Sequence, residues 1–583
     1  MKRESRKGIK KDSHRFTELS NASVTLTFKR MKSYFCFILI LAVLVAGCSQ
    51  RKIANRHIRA AQKIDDLSFS RKEINTMRPY LNENKNGYDS MRAFSIDYSI
   101  APALYFDPRP DNFQFRKISD SSHWDYPEQV TVPASETEIA FMTVAQLSSL
   151  IKNKKITSTQ LTKIYLSRIK KYNDTLLAVI TLTEDLALQQ AKKADEEIAN
   201  GKYRGPLHGI PYGIKDLFAV PGYKTTWGAE PYQNQVLNDT AEVVKKLEEA
   251  GAVLIAKLTS GALARGDVWF GGKTKNPWDL KQGASGSSAG SASATAAGLV
   301  GFSIGTETLG SILSPSSRCG ATGLRPSFGA VSRSGAMTLS WSMDKVGPIC
   351  RSAQDCAIVF NVIRGKNKLA EKDHTVVDYS FSFNSPTDLS AYKIGYTKKL
   401  FDKDTSRIGK IGLETIEKLR SLGANLKEIT LPEDVPYPAF DIILRAEAGA
   451  FFDSLVRAHG ERLLSEQDAP SRANSLRQAR FIPASEYLQA NRYRKVLIEK
   501  FNALISEFDF IVVPTDGKNQ SMITNLTGHP AISIPTGLDD KGHPTSIILI
   551  GNLYNEGPLL EAAHVFQQAT DFENKKPTYF SNP

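Results

Sequence analysis

The sequence predicts one large α/β unit built around a sheet that contains parallel strands, and three observations point to it. Between residues 140 and 575, amphipathic helical patterns alternate with short apolar runs, as in strands joined by helical crossovers. No Pro/Ser linker and no fixed-period repeat divides that stretch. Its one low-complexity segment, residues 283–298, turns from Gly and Ser to Ala and Thr after Gly290 and runs straight into an apolar strand pattern. A flexible linker would not do so; a helix of small side chains packed inside a core would.

The elements follow in chain order. Residues 48–135 form a tether and a helical, partly irregular extension rich in Arg, Asn, Asp and Tyr. Within it, residues 101–108 form an extended strap, because a proline disfavours helix in the residue before it. Thr143 and Gln146 make a capping box that opens a helix burying Leu147, Leu150 and Ile151. Thr157 or Ser158 caps a second helix with Leu161, Ile164, Tyr165, Ile169 and Tyr172 on one face. Residues 241–250 are a helix with Val243, Val244 and Leu247 inward, stopped by Gly251. The apolar runs 253–256, 299–304, 393–396, 510–513, 531–534 and 547–550 are the strands.

Composition leaves the chemistry open but narrows the partners. The chain has 583 residues, 41% hydrophobic and 23% charged, which is ordinary for a globular protein. Length alone would divide it into three or four domains, a division the unbroken pattern over 140–575 does not support. Half of the net charge of +14 sits in residues 1–47. The rest shows no basic stripe interleaved with aromatics, so no nucleic-acid partner is expected.

The N-terminus reads as an address. A basic stretch ending at Arg30 and Lys32 precedes an apolar run over residues 35–47. That run is shorter than the roughly 20 residues a membrane span needs, but it has the proportions of a secretory signal. Val45-Ala46-Gly47-Cys48 has the form of a bacterial lipobox, which makes Cys48 the expected site of lipid attachment and the mature N-terminus. Met31 stands where such a signal begins, so residues 1–30 read as an over-extended start and 31–47 as the signal peptide. The expected location is exported and lipid-anchored to a bacterial membrane; the competing possibility is a cytosolic chain with a buried apolar N-terminal helix. Cys36 and Cys48 belong to this region. Cys319, Cys350 and Cys356 show no metal spacing, cannot all pair and read as small buried residues, with one disulfide open to an oxidising compartment.

Three stretches carry the chemistry. Gly209-Ile-Pro-Tyr-Gly-Ile-Lys215-Asp216 sets a lysine in a strand-like apolar run, where it either snorkels outward or is buried with a lowered pKa. Ser285-Gly286-Ser287-Ser288-Ala289-Gly290-Ser291 is rich in hydroxyls. Gly305-Thr306-Glu307-Thr308-Leu309-Gly310-Ser311-Ile312 forms a loop at a strand end, able to turn successive N–H groups toward one point as an oxyanion hole requires.

Together these stretches resemble the amidase signature family. The resemblance continues through Pro315–Gly320, Gly323–Ser327, Val331–Arg333 and Met343–Pro348, and reappears at Asn525–Thr536. It implies an α/β/α sandwich around a large mixed sheet, spanning residues 140–575. It also implies a Ser–Ser–Lys triad of Ser311 as nucleophile, Ser287 as proton relay behind a cis peptide bond, and Lys215 as base. The backbone N–H groups of Thr308, Leu309, Gly310 and Ser311 would hold the oxyanion. A serine hydroxyl needs a base to become a nucleophile, and lysine can serve only when neutral, which an apolar setting promotes. The expected substrate is a small-molecule amide, with no cofactor, no metal and no obligatory subunit. Membrane contact is expected only through the lipid anchor.

Two departures qualify the resemblance. Leu309 stands where Gly or Asp is common and narrows the acyl side. Leu313 stands where relatives often carry Arg, which in the amidotransferase relatives helps hold glutamine; an apolar or neutral acyl group is therefore expected. Two other motifs compete. Gly286-Ser-Ser288-Ala-Gly290 has the nucleophile-elbow form with Ser288 attacking, but a turn rather than a strand precedes it. Ser149-Leu-Ile-Lys152 has the S-x-x-K form but lies in an ordinary amphipathic helix. The alternative functions are the glutamine-hydrolysing component of a tRNA-dependent amidotransferase and an inactive lipid-anchored binding protein.

Overall fold

The computed structural model describes residues 52–581 apart from residues 65, 94–96, 101–102, 128–129, 367–371 and 518. The signal, the lipobox and Cys48 lie outside the described residues. Among the described residues no helix is long and apolar enough to cross a membrane. The chain divides into two compact units between Ile96 and Asp97.

The smaller unit holds helices Asn55–Ala61 and Arg71–Arg92. It buries Ile58 and Ile74, and Ile53 N donates to Asn82 Oδ1 at 2.8 Å. The strap, expected to belong to the extension, belongs instead to the larger unit. Phe106 meets Phe328 edge-on at 5.0 Å and lies beneath the Arg494 guanidinium at 3.4 Å, a cation–π contact that fastens the segment.

The larger unit opens with α1 (Val144–Lys152) and α2 (Ser158–Leu176), each started by a complete capping box, Thr143 with Gln146 and Thr157 with Gln160. The strands are β1 (Val179–Leu182), β2 (Pro211–Lys215), β3 (Val253–Leu258), β4 (Phe302–Glu307), β5 (Thr322–Arg325), β6 (Lys345–Cys350), β7 (Lys393–Tyr396), β8 (Asn425–Glu428), β9 (Phe510–Pro514), β10 (Ala531–Leu538) and β11 (Pro544–Gly551). They form one 11-stranded sheet in the order β1-β3-β2-β4-β6-β5-β10-β11-β9-β7-β8. Pairs β2–β3, β2–β4, β7–β8 and β7–β9 are parallel and the others antiparallel, so the sheet is mixed.

Alternate residues of the central strands enter different cores. Phe510 and Val512, Ile532 and Ile534, and Ile547 and Leu549 join the largest apolar cluster. Ile511, Val513, Ala531, Ile548 and Ile550 join a second one. With side chains alternating across a strand, this buries both faces of the sheet, the α/β/α arrangement. The small-residue segment is α4 (Ala289–Ala296), preceded in the chain by α3 (Glu242–Glu249). At Gly290 a Cβ would lie 2.3 Å from Ala178 O and 2.4 Å from Thr259 N, so only glycine lets that helix approach its neighbours.

The apolar run 299–304 misplaces its strand. Leu299 and Val300 are buried, but hydrogen-bonded pairing starts at Phe302 opposite Tyr212 and ends at Glu307 opposite Lys345. Burial and ladder are separate requirements, and the run reported only burial. The consequence for the site is that Gly305, Thr306 and Glu307 are strand, and the loop begins at Thr308.

Candidate active site

Three neighbouring elements assemble the site. Strand β2 ends on Lys215, which is fully buried. Its ammonium donates to Ser287 Oγ at 2.7 Å, Thr306 Oγ1 at 2.8 Å and Ser288 Oγ at 3.1 Å. Burial lowers its pKa to about 7, against the opposing pull of the Asp344 and Glu307 carboxylates. Ser287 follows a cis peptide bond from Gly286 and lies just ahead of α4.

Ser311 lies between β4 and α5 (Leu313–Cys319). Gly310, before it, has a left-handed φ of 85° that a side chain would strain. Glu307 holds the turn from below, with Oε2 accepting the N–H groups of Ile312 at 2.8 Å and Leu313 at 3.0 Å. Its Oε1 accepts from Arg325 at 2.8 Å and Asn525 at 2.9 Å. Burial pushes the Glu307 carboxyl up, but Arg325 and these hydrogen bonds outweigh it and hold the pKa at about 2. Among the described residues the N–H groups of Leu309, Gly310 and Ser311 make no hydrogen bond within the protein, so they are available to an oxyanion.

Ser288 is placed differently from Ser287. It is fully buried; its hydroxyl donates to Thr306 O at 3.0 Å and accepts from Thr306 N at 3.2 Å. It braces α4 against β4, which is no position for a nucleophile. Ser149 is likewise committed, donating to Pro127 O at 3.1 Å.

Ser311, Leu309, Thr308 and Gly286 line one wall of a cavity of about 400 Å³. The opposite wall comes from α7 (Tyr437–Phe451) and α8 (Arg472–Ala479), which follow α6 (Ala353–Ile363) in the chain. These two helices contribute Asp441, Leu444, Arg445, Arg472 and Gln478. Arg472 is 5% exposed. Its Nε donates to Leu263 O at 3.1 Å and its Nη2 to Ala264 O at 3.3 Å, while Nη1 is buried without a partner. Burial and the neighbouring Arg265 charge lower its pKa to about 9. The wall across from Ser311 thus carries a guanidinium in Arg472, beside the Asp441–Arg445 ion pair and Leu444, a charge that the Leu309 and Leu313 positions did not suggest. Leu313 does not line the cavity; it is buried with Ile523 and Leu526 in the second core. Sequence reasoning missed Arg472, because an arginine on a short amphipathic helix looks like any solvated one.

The three cysteines are buried and unpaired. Among the described residues no cluster of three or more His, Cys, Asp or Glu side chains could hold a metal ion.

Fold and site together define an α/β/α enzyme domain with a buried lysine–serine pair and a further serine, Ser311, on the wall of a cavity. The chain belongs to the amidase family, whose model matches residues 160–524. It is similar to the glutamyl-tRNA(Gln) amidotransferase A chain of Carboxydothermus hydrogenoformans, 33% identical over 490 residues, covering 76% of this chain and 99% of that one. Its counterpart in Pseudomonas aeruginosa is 34% identical over 491 residues, covering 75% and 99%. Among solved structures, the native peptide amidase of Stenotrophomonas maltophilia superposes with a TM-score of 0.67 at 28% identity, covering 75% of this chain and 98% of that one.

Proposed function

We propose that this protein hydrolyses carboxylic amides through an acyl-enzyme on Ser311, with Ser287 and Lys215 carrying the proton. The observation that carries the proposal is the 2.7 Å contact of Lys215 with Ser287, made by a lysine whose burial brings it to about 7. At that value a neutral amine is plentiful near neutral pH, as a general base requires. Ser311 Oγ adds to the amide carbonyl while its proton passes to Ser287, whose own proton passes to Lys215. The oxyanion is held by the free N–H groups of the Thr308–Ser311 loop. Return of the proton through Ser287 to the departing nitrogen releases ammonia or amine. Water then enters by the same relay, frees the carboxylic acid and restores Ser311.

The Arg472 guanidinium on this wall favours an amide that also bears a carboxylate or another anionic acceptor. A buried arginine N–H without a partner costs free energy, and a carboxylate reaching Arg472 would satisfy it with a charge-assisted bond. Glutamine is such an amide, so this wall and the named relatives support the amidotransferase alternative as well. Purified residues 49–583 separate the two. Hydrolysis of carboxylate-bearing amides is expected with no tRNA, ATP or second protein added. Arg472→Met is expected to raise KM for those substrates about 10–100-fold, on the order of one buried charged hydrogen bond, and to spare neutral amides. Turnover that appears only with tRNA, ATP and partner proteins would put the amidotransferase first.

We also propose export and lipid attachment at Cys48, supported by the basic, apolar and Val45–Cys48 segments. Cys48→Ala is expected to leave precursor or a soluble product. Mass spectrometry of the native protein is expected to find a diacylglyceryl Cys48 as first residue; an unmodified Cys48 preceded by residues 31–47 would overturn this.

A further inference from the structure

The end of strand β4 and the loop that follows it hold two threonines with opposite duties. Thr306 Oγ1 accepts from Lys215 at 2.8 Å. Two residues on, Thr308 Oγ1 donates to Asp344 Oδ1 at 2.5 Å. The other oxygen of Asp344 accepts the N–H groups of Leu339 at 2.7 Å and Ser340 at 3.0 Å, and Leu339 lines the cavity over Ser311. Asp344 and Thr306 also line a second, smaller cavity of about 90 Å³. One carboxylate therefore touches the oxyanion loop and the wall of the substrate cavity, and shares a cavity with the threonine that holds the lysine. We propose that Asp344 is a positioning residue for the reaction: it holds the oxyanion loop through Thr308 and places a buried negative charge beside the Lys215–Thr306 pair.

The surrounding charges leave that role to Asp344. Lys215 feels two carboxylates, Asp344 and Glu307. Glu307 is already neutralised by Arg325 at 2.8 Å. Of the cations around Asp344, Arg333 is paired with Asp373 at 2.9 Å, Lys345 donates to Met343 O, and Arg472 holds backbone carbonyls. Glu447 nearby is occupied by Ser340 and Ser342. Among the described residues Asp344 has no ion-pair partner. Burial raises the Asp344 pKa, while the Thr308 hydroxyl, two N–H groups and the Arg333 charge favour the carboxylate.

The proposal rests on Lys215 acting as the base, and the test separates the two claims. The pH dependence of kcat/KM on one amide is compared for wild type, Lys215→Ala, Asp344→Asn, Thr308→Val and Thr308→Ser. Asn keeps the size and an acceptor but removes the charge that favours the ammonium. Lys215 then loses its proton more easily, and the acid limb is expected to move down by about one pH unit. Thr308→Val is expected to lower kcat about tenfold, as a misplaced oxyanion donor would, with the limb unmoved, and Thr308→Ser to restore it. A limb that Lys215→Ala abolishes but Asp344→Asn leaves in place overturns the charge role. A fully active Thr308→Val overturns the loop role, and this pair decides that role even if Asp344→Asn fails to fold. A wild-type limb untouched by Lys215→Ala instead removes the base assignment, and with it the charge role of Asp344.

Discussion

Ser311→Ala is expected to abolish turnover and labelling by a fluorophosphonate, because it removes the hydroxyl that stands on the cavity wall beside free backbone N–H groups, while the neighbouring Thr308 hydroxyl is committed to Asp344. The relay variants are expected to differ in kind. Ser287→Ala leaves the proposed nucleophile and oxyanion donors in place but removes the hydroxyl proposed to relay the proton to Lys215; Lys215→Ala removes the base. Loss of general-base help costs about 10²–10⁴-fold, so both should be crippled yet measurable. Groups that act as one unit are not additive, so the triple variant should be little worse than Ser311→Ala alone. The rate of the wild type should rise with pH through about 7 as buried Lys215 becomes neutral, and that limb should vanish in Lys215→Ala. Ser288→Ala is the informative neighbour. Its hydroxyl ties α4 to Thr306 and is one of four acceptors around Lys215, so this variant should lose part of its activity and still form the acyl-enzyme. Peptide mapping that finds the fluorophosphonate on Ser288 would overturn the assignment of Ser311.

The resemblance led to the expectation of a buried Lys215, and Lys215 is fully buried with its amine 2.7 Å from Ser287, which follows a cis bond; taken alone, a lysine in an apolar run could equally have snorkelled outward. The helices were legible where caps declared them: the Thr143–Gln146 capping box formed as expected, and of the two caps open to the second helix Thr157 is the one used. What stayed hidden depends on pairing across the fold. Strands β5 and β6 carry Gly, Pro, Lys and Arg and show no alternation; they are strands because their neighbours complete their hydrogen bonds. Thr306 and Asp344 meet at one cavity only because β4 pairs with β6, with Val346 opposite Thr306. The far wall of the cavity that Ser311 lines is built by α7 and α8, some 130–170 residues after Ser311, on helices whose polar residues look solvated until the fold closes them over the serine. The resemblance thus pointed to the Lys215–Ser287 contact but gave no sign of the residues on α7 and α8 that line the cavity, which carry no motif. Leu313 shows the hazard: the absence of an arginine two residues after Ser311 suggested a neutral pocket, while Arg472 brings a cation from a different helix.

The second large effect is expected at Glu307, which neither attacks nor relays. Glu307→Ala removes the partner of a fully buried arginine, and breaking a buried ion pair from one side typically costs about 3–5 kcal/mol. Arg325 would be left with His529 O at 2.9 Å as its remaining acceptor. That is a large share of the stability of most domains, so denaturant midpoints should fall sharply and the yield of folded protein with them. Activity should fall further than folding does, since the carboxylate also anchors the N–H groups of Ile312 and Leu313 and so the turn that presents Ser311. A double variant separates the two losses. Glu307→Leu with Arg325→Met replaces the ion pair by apolar volume, a change that often recovers stability. It supplies no acceptor for the two N–H groups, so the double variant should unfold near the wild-type midpoint while its folded fraction labels with fluorophosphonate at least tenfold more slowly. Recovery of labelling together with stability would show that Glu307 holds the fold and leaves the nucleophile to position itself.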